Sequence, residues 1–327
     1  MTDESNGGLS RRRLLGGALA VGAGALLGGK AAAAPEAKKA AIPTRPFGKT
    51  GRTVTVFGLG CFYVGGASSD AAGAEVVRHA LDAGCTYFDT APSYHAGASE
   101  RRVGIGLEGR RGEVFLSTKT LERNGALARR ELEASLKRLK TDHVDMIQIH
   151  CVRTAADLAA VLAPDGPLVA LRRAKDEGLV RFVGVTGHED PKVMKAAIET
   201  DAFDSILIPL NPVDLHWASF VDGTLPTAVT KGIARVGMKV FASGRLVRPA
   251  DAKAKGLAAE DCLRFAYGLD VCATIVGCST LDEVDVAVNV AAEAKPLDAV
   301  ARAALIEDAK RFTGNSGAGV EWYKQPT

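Results

Sequence analysis

The sequence predicts an α/β fold closed into a (β/α)8 barrel, and three observations lead there. Strand-like and helical segments alternate eight times, at about 30 residues per unit. No Pro/Gly-rich linker divides the chain midway. The first strand runs into GLGCFYVGG at 58–66, which lacks the GxGxxG fingerprint that an open, doubly wound sheet would carry at that place. The closed barrel is favoured over the open sheet on that ground.

The chain begins with a segment that stands outside the fold. SRRRLL at 10–15 leads into LLGGALAVGAGALLGG, then Lys30 and AAAA at 31–34. A basic start, a short apolar run and an Ala-x-Ala site describe an export signal. Arg11 and Arg12, followed by Leu14 and Leu15, resemble the twin-arginine version. The apolar run of about 16 residues is short of the roughly 20 that span a bilayer. Residues 1–34 are therefore read as a cleaved signal peptide, with cleavage expected after Ala33 and an uncleaved signal anchor as the alternative. No Cys follows the apolar run, which argues against a lipoprotein. The expected partner of this segment is the twin-arginine export machinery. The expected location is periplasmic or extracellular, with no stable membrane insertion after cleavage. Residues 35–44 read as a linker.

Residues 45–312 read as the barrel and 313–327 as a C-terminal tail. RPFGKTGRTVTV suggests an N-terminal β-hairpin around Gly48–Gly51. Barrel strands are expected near VFGL (56–59), TYFD (86–89), VFLST (114–118), VDMIQIH (144–150), VRFVGVT (180–186), FDSILI (203–208), MKVFAS (238–243) and ATIVG (273–277). Between them, 124–139 places Leu132, Leu136 and Leu139 on one helical face. PLVALRRAKDEG ends at Gly178, as a helix C-terminus should. A helix is expected to start near Pro191, after a turn at His188-Glu189-Asp190. STLDEV at 279–284 sets Thr280 and Glu283 at capping-box spacing. The tail GNSGAGVEWYKQPT carries Trp322 and Tyr323, read as an aromatic flap over the barrel mouth or as a docked terminus.

Composition sets bounds on function. With 47% hydrophobic residues and a net charge of +3 over 327 residues, the chain can bury a large core. It shows no basic stripe that would mark a nucleic-acid partner. The six cysteines, at 61, 85, 151, 262, 272 and 278, form no CxxC pair. They read as buried thiols, not as a disulfide framework or a zinc or iron–sulfur site, and no metal is expected.

In a barrel of this kind the chemistry sits at the C-terminal ends of the strands. Asp89 ends the second strand, Lys119 the third and His150 the fourth, while Tyr94 follows Asp89 in a loop. Taken singly, each has a structural explanation: a loop cap, a solvated surface lysine, a satisfied core histidine. Three ionisable groups on neighbouring strand ends must instead pair with one another, because isolated buried charge is costly. A phenol is a poor acid at neutral pH. An adjacent ammonium is expected to lower its pKa, with the carboxylate keeping that ammonium charged. The phenol can then protonate a carbonyl oxygen, while the imidazole hydrogen-bonds to the same oxygen. The four suit carbonyl reduction or alcohol oxidation.

The same residues carry a family resemblance over about 45–295. FDTAPSYHAGASE, VFLSTKT and SLKRLKTDHVDMIQIH are similar to the tetrad motifs of the aldo-keto reductases, and RPFGKTGRTVTVFGLG resembles their opening hairpin and first strand. GLVRFVGVTG and AFDSILIPLN match strands five and six in outline. The resemblance implies a (β/α)8 barrel that binds NADP(H), with NAD(H) as the alternative, without metal, and a small carbonyl or alcohol substrate. It places Asp89, Tyr94, Lys119 and His150 in the catalytic positions. It places Gly60, Cys61, Phe62, Thr186, Gly187, Ser243, Gly244, Arg245, Gly277, Ser279 and Thr280 at cofactor positions. Here the chain departs from the pattern. Thr186-Gly187 stands for Ser-Asn, Leu207 for a carboxamide-binding Gln, and Ser243-Gly244-Arg245 for an aromatic that stacks on nicotinamide. Gly277 and Glu283 replace the cation at the 2′-phosphate, and Val286-Ala287 the adenine-binding Glu-Asn. The helix N-terminus near Ser279 and Thr280 is expected to hold a phosphate through its amides. Three functions are therefore open: an active reductase or dehydrogenase, a barrel-shaped binding protein, and a redox-neutral enzyme acting on a sugar-like substrate. His188-Glu189-Asp190 and His95 are further candidates for the mouth, and Arg245 for a pyrophosphate.

Overall fold

The structure, a computed structural model, describes residues 41–248, 255–313 and 319–324. Residues 1–34, read from sequence as an export signal, lie outside the described residues. Thr44–Pro46 (β1) and Thr53–Thr55 (β2) pair antiparallel around Gly48–Gly51, as the hairpin reading requires. Gly48 has a φ of +55°, and a Cβ there would sit 2.4 Å from the Ala234 amide, so glycine alone lets the turn press against the barrel floor. The turn thereby seats Phe47, fully buried, among Tyr87 and Phe115 with ring centroids 5.7 and 4.6 Å away.

Eight parallel strands then close on themselves: Phe57–Gly60 (β3), Tyr87–Asp89 (β4), Phe115–Thr120 (β5), Val144–Ile149 (β6), Val180–Thr186 (β7), Ser205–Pro209 (β8), Ala234–Met238 (β9) and Ala273–Gly277 (β10), with β10 paired to β3. Period-two alternation separates two cores. Tyr87, Phe115, Met146, Leu207, Val236 and Ile275 fill the barrel together with Phe47 and Val54. Phe57, Leu59, Phe88, Leu116, Ile147 and Val183 face the helices.

The helices follow the expected signals. Gly125–Leu139 is capped by the Asn124 side chain and buries Leu132, Leu136 and Leu139, each contributing about 1.5–3 kcal/mol of burial. Pro167–Asp176 ends before Gly178, whose φ is +79°. Asp190 caps Pro191–Glu199. Thr280 caps Leu281–Glu293. Five of the six cysteines are buried and Cys151 is half-buried, and all are free thiols. Among the described residues no helix is long and apolar enough to cross a membrane.

One strand is displaced from its expected place. The seventh barrel strand is Ala234–Met238, not 238–243. It starts two residues after Gly232, whose left-handed φ of +66° ends the preceding helix. Lys239, Ala242 and Ser243 then take positive φ values, which an extended strand cannot contain. The apolar run VFAS reads like a strand because Val240 and Ala242 are buried in a turn over the barrel rim.

Candidate active site

Three neighbouring strands deliver the central group. Asp89 closes β4 opposite Ser117 of β5, and Lys119 lies two residues further along β5, opposite Gln148 of β6. The Lys119 ammonium, 1% exposed, donates to Asp89 Oδ1 and, at 2.8 Å, to the Thr90 carbonyl. The other carboxylate oxygen accepts Gln148 Nε2 at 2.8 Å, and that amide also reaches Ser117 Oγ at 2.7 Å. Burial works against charge on Lys119, but the Asp89 carboxylate outweighs it and holds the ammonium pKa above its ordinary value. Lys119 stays a cation.

Tyr94 leans over that cation. The ammonium is 4.8 Å from the centroid of its ring. The local sequence explains the placement. His95, Ala96 and Gly97 take φ values of 50°, 52° and 84°, and this tight left-handed path folds the loop back at Gly97, which packs against Arg138. The helix Ala98–Gly106 that follows is riveted at its first turn. Ser99 Oγ bonds to Thr90 Oγ1 and to the Cys61 carbonyl, both at 2.7 Å. The buried Glu100 carboxylate accepts Thr118 Oγ1 at 2.5 Å and Arg138 Nε at 2.6 Å. Thr118 is the neighbour of Lys119, so Glu100 ties the loop of Tyr94 to the strand of Lys119.

The phenol pKa moves opposite to expectation. Burial raises it, and Lys119 only partly reverses this. Tyr94 is therefore a protonated phenol at neutral pH, with a cation poised to stabilise its anion. His150, just past β6, lies with its ring 5.9 Å from that of Tyr94 in an edge-to-face arrangement. Burial, then the Lys119 charge, depress its pKa well below 6.5, so the imidazole is neutral. Its Nδ1 is buried without a partner among the described residues. A proton on Nε2 leaves only a lone pair there unsatisfied, which assigns Nε2–H as the donor. Arg123 fixes the backbone beneath by donating to the His150 and Cys151 carbonyls at 2.8 and 3.0 Å.

The cofactor positions suggested by sequence surround this group unevenly. Gly60 ends β3 and abuts Ile275; Cys61 is buried; Phe62, 47% exposed, packs on Tyr94 and His95 with centroids at 5.3 and 4.9 Å. Thr186 ends β7 and is buried beside Leu207 of β8. Gly187 turns inward: a Cβ there would meet Met194 Sδ at 2.4 Å and the Val152 carbonyl at 2.6 Å. Gly277 ends β10 against the Tyr63 ring. Ser243, Gly244 and Arg245 lie in the turn beyond β9. The Ser279 amide is already taken by Glu283 Oε2 at 2.7 Å, and Glu283 also accepts Arg248 at 2.5 Å. Arg248 brings a cation to the end of β10 that motif reading did not find.

The tail residues 319–324 are docked beside the mouth. Tyr323 is buried against His188, ring centroids 5.6 Å apart, and its hydroxyl donates to Glu321 at 3.1 Å. Lys324, fully enclosed, pairs with Asp214 at 2.6 Å and Glu321 at 2.8 Å. Asn211, just past β8, donates to Glu321 at 2.9 Å. Trp322 stays half-exposed, with Lys239 and Arg245 over its ring. Of the two readings of the tail, the contacts of residues 321–324 match the docked one. Of the other candidates, Glu189 pairs with Arg153 at 2.9 Å, and His95 is exposed beside Phe62. Gln148, Ser99 and Glu100 went unmarked by sequence; the only signal was a polar residue inside an apolar strand, two before His150. Among the described residues no three His, Cys, Asp or Glu side chains cluster as metal ligands would.

Comparison with known proteins adds an independent line. The family model described as Aldo/keto reductase family matches residues 56–295. An aldo-keto reductase of Schizosaccharomyces pombe, named for NADP(+), is 28% identical over 196 residues, which are 55% of this chain and 53% of that protein. The Bacillus subtilis aldo-keto reductase YhdN is 36% identical over 160 residues, 42% of this chain and 44% of that protein. The chain thus spans about half the length of these curated relatives. Among solved structures, the holo form of an aldo-keto reductase from Bacillus halodurans is similar with a TM-score of 0.70 at 24% identity, covering 82% of this chain and 96% of that one. An aldo/keto reductase from Klebsiella pneumoniae, solved in complex with NADP and acetate, is similar with a TM-score of 0.64 at 22% identity, covering 84% and 96%.

Proposed function

Because this chain belongs to the aldo/keto reductase family, we propose that it is an oxidoreductase of carbonyl and alcohol substrates, using NADP(H), with NAD(H) as the alternative nucleotide. The observation that carries this is the buried Lys119–Asp89 pair lying under the Tyr94 ring with His150 across from it.

The chain has features that fit a nicotinamide dinucleotide. In the turn beyond β9, Ala242, Ser243 and Gly244 share left-handed φ values, with open space at Gly244. The Ser243 and Gly244 amides donate to no described residue, and successive free amides in such a turn suit a pyrophosphate. The Thr186 hydroxyl would hold a carboxamide, and Leu207 would offer it an apolar surface. Arg248, drawn in by Glu283, would meet a 2′-phosphate. A bound nicotinamide nucleotide supplies hydride in reduction and accepts it in oxidation.

The chain's own residues do the rest. His150 donates from Nε2 to the carbonyl oxygen and fixes its direction. Tyr94 passes its proton to that oxygen as negative charge develops there. Lys119 stabilises the resulting phenolate, and Asp89 with Gln148 holds Lys119 in place. General acid catalysis of this kind contributes typically 10²–10⁴-fold, and a fixed donor at a developing oxyanion a similar factor. Alcohol oxidation reverses each step.

The loss of side-chain donors at Gly187 and Leu207 favours one second reading, a barrel that holds nicotinamide weakly and uses its acid–base group for redox-neutral chemistry on a sugar-like substrate. Fluorescence titration of the purified protein with NADPH, followed by assay on an aldehyde panel, separates the two. Saturable nucleotide binding with NADPH-dependent turnover supports the reductase. A folded protein that ignores millimolar NADPH and NADH defeats it.

Residues 1–34 are proposed as a cleaved twin-arginine signal and 35–44 as a linker, with the barrel proper at 45–312. Export of a folded protein lets the nucleotide load before passage and stay bound. Cell fractionation tests this: mature protein in the exported fraction, starting near Ala34, is expected, and full-length protein confined to the cytoplasm would contradict it.

A further inference from the structure

At the mouth of the same site two cations, Lys239 and Arg245, form no ion pair with any described residue; the Arg245 guanidinium lies 5.6 Å from the Trp322 ring, next to the turn read above as a pyrophosphate contact, and Lys239 lies nearer Tyr323. Lys119 pairs with Asp89, Arg123 with Asp157, Arg153 with Glu189, and Lys324 with Asp214 and Glu321. Lys239, the first residue past β9, forms no ion pair with any described residue; its nearest polar side chain is Ser243, with Oγ at 3.3 Å. Its φ of +58° turns the chain at the rim. Its ammonium lies 5.3 Å from the Tyr323 ring centroid and 5.9 Å from that of Trp322. Its charge is felt by His150 and by His188, whose ring is 5.6 Å from Tyr323. Lys239 and His188, just past the end of β7, thus flank the same Tyr323 ring. Burial lowers the pKa of Lys239, and among the described residues no carboxylate reverses this. A half-buried ammonium kept without a partner is a standing cost, and an anionic ligand would remove it.

A purely structural role accounts poorly for this. The tail beneath Lys239 is already anchored by the enclosed Lys324, Asp214, Glu321 and Asn211 group. We propose that Lys239 and His188 form a carboxylate subsite, so that the carbonyl substrate itself carries a carboxylate. This rests on the reductase reading for the carbonyl end alone. His188 is neutral, its pKa pushed down to about 4 by burial and then by Lys239. With Arg245 directed to the pyrophosphate turn, the Lys239 ammonium beside a neutral imidazole suits a planar monoanion, where a phosphate dianion calls for more positive charge. The carboxylate rests on Lys239 and the Tyr323 edge, and the carbonyl faces Tyr94 and His150.

The test compares 4-carboxybenzaldehyde with its neutral counterpart methyl 4-formylbenzoate, in wild type, Lys239→Gln and Lys239→Arg. Thermal melting first verifies that each variant is folded. Benzoate binding, read by the fluorescence of Trp322 beside Lys239, runs in parallel and needs no turnover. The acid-over-ester ratio of kcat/KM should fall roughly 10- to 100-fold in Lys239→Gln, the loss of one hydrogen bond to a charged group. Lys239→Arg should restore most of it, and benzoate binding should follow the same order. An unchanged ratio overturns the proposal, as does a loss confined to NADPH affinity, which would make Lys239 a nucleotide contact. If wild type reduces neither aldehyde, the reductase reading fails, and benzoate binding alone decides the subsite: equal affinity in wild type and Lys239→Gln refutes it.

Discussion

Replacing Asp89 by Asn removes the charge under Lys119 and little else. Asparagine is isosteric, still accepts from the ammonium through Oδ1, and can pair with a flipped Gln148 amide. The Thr90 carbonyl contact at 2.8 Å also survives. What is lost is compensation for an ammonium only 1% exposed. Breaking one partner of a buried pair costs about 3–5 kcal/mol, a large share of the 5–15 kcal/mol that a typical fold has in hand. The pH dependence follows from the direction of the Lys119 shift. In wild type its pKa is raised, so the pair's contribution is complete below the unfolded value near 10.4 and fades as pH climbs through the folded one. In Asp89→Asn, burial prevails and the folded pKa drops below the unfolded one. The unfolded chain then binds more protons, and the variant gains stability as pH rises. Urea denaturation at pH 7 and at pH 9.5 should show the gap to wild type shrinking at the higher pH. A loss under about 1 kcal/mol at pH 7, or a gap independent of pH, would refute the reasoning.

Other outcomes follow from the same contacts. Gln148→Leu leaves Asp89 Oδ2 without its 2.8 Å donor and should cost about 1–3 kcal/mol in denaturant unfolding. Glu100→Gln keeps an acceptor for Thr118 but removes the charge facing Arg138 at 2.6 Å; with Arg138 left partly solvated it should cost about 1.5–3 kcal/mol and lower kcat more than it raises KM, since it loosens the anchor of the Tyr94 loop. The His150 pKa lies far below 6.5 and that of Tyr94 above its ordinary value, so reductive kcat/KM should be flat through neutrality and fall only in strong alkali; an inflection near pH 6.5 would contradict a neutral His150. Lys324→Met strands two enclosed carboxylates, Asp214 and Glu321, and should release the tail, seen as faster proteolysis near the C-terminus with the barrel intact.

Legibility in the sequence followed the range of each interaction. The barrel was readable because most strands and caps are local signals, and the tetrad because Asp89, Lys119 and His150 stand at or just past the ends of consecutive strands, with Tyr94 in the loop after the first. Strand seven was misplaced because burial alone generates the VFAS pattern, and only the left-handed turn at Lys239 distinguishes a rim loop from a strand. The direction of the Tyr94 shift was hidden because adjacency to Lys119 shows in the motif and the depth of burial does not. Glu100 went unmarked because its partners Thr118 and Arg138 lie 18 and 38 residues away. The tail network joins residues separated by 110 positions, beyond any local pattern. Arg248 was missed because it comes to Glu283 from a different loop.

The central claim is that Tyr94 delivers the proton to the carbonyl oxygen. The direct measurement is single-turnover reduction of 4-nitrobenzaldehyde by enzyme preloaded with NADPH or its 4-deuterated form, comparing wild type with Tyr94→Phe. The account predicts nucleotide affinity within a few-fold of wild type and a chemical step slowed about 10²–10⁴-fold, with the deuterium effect fully expressed. A Tyr94→Phe enzyme that reduces the aldehyde at the wild-type rate would contradict it.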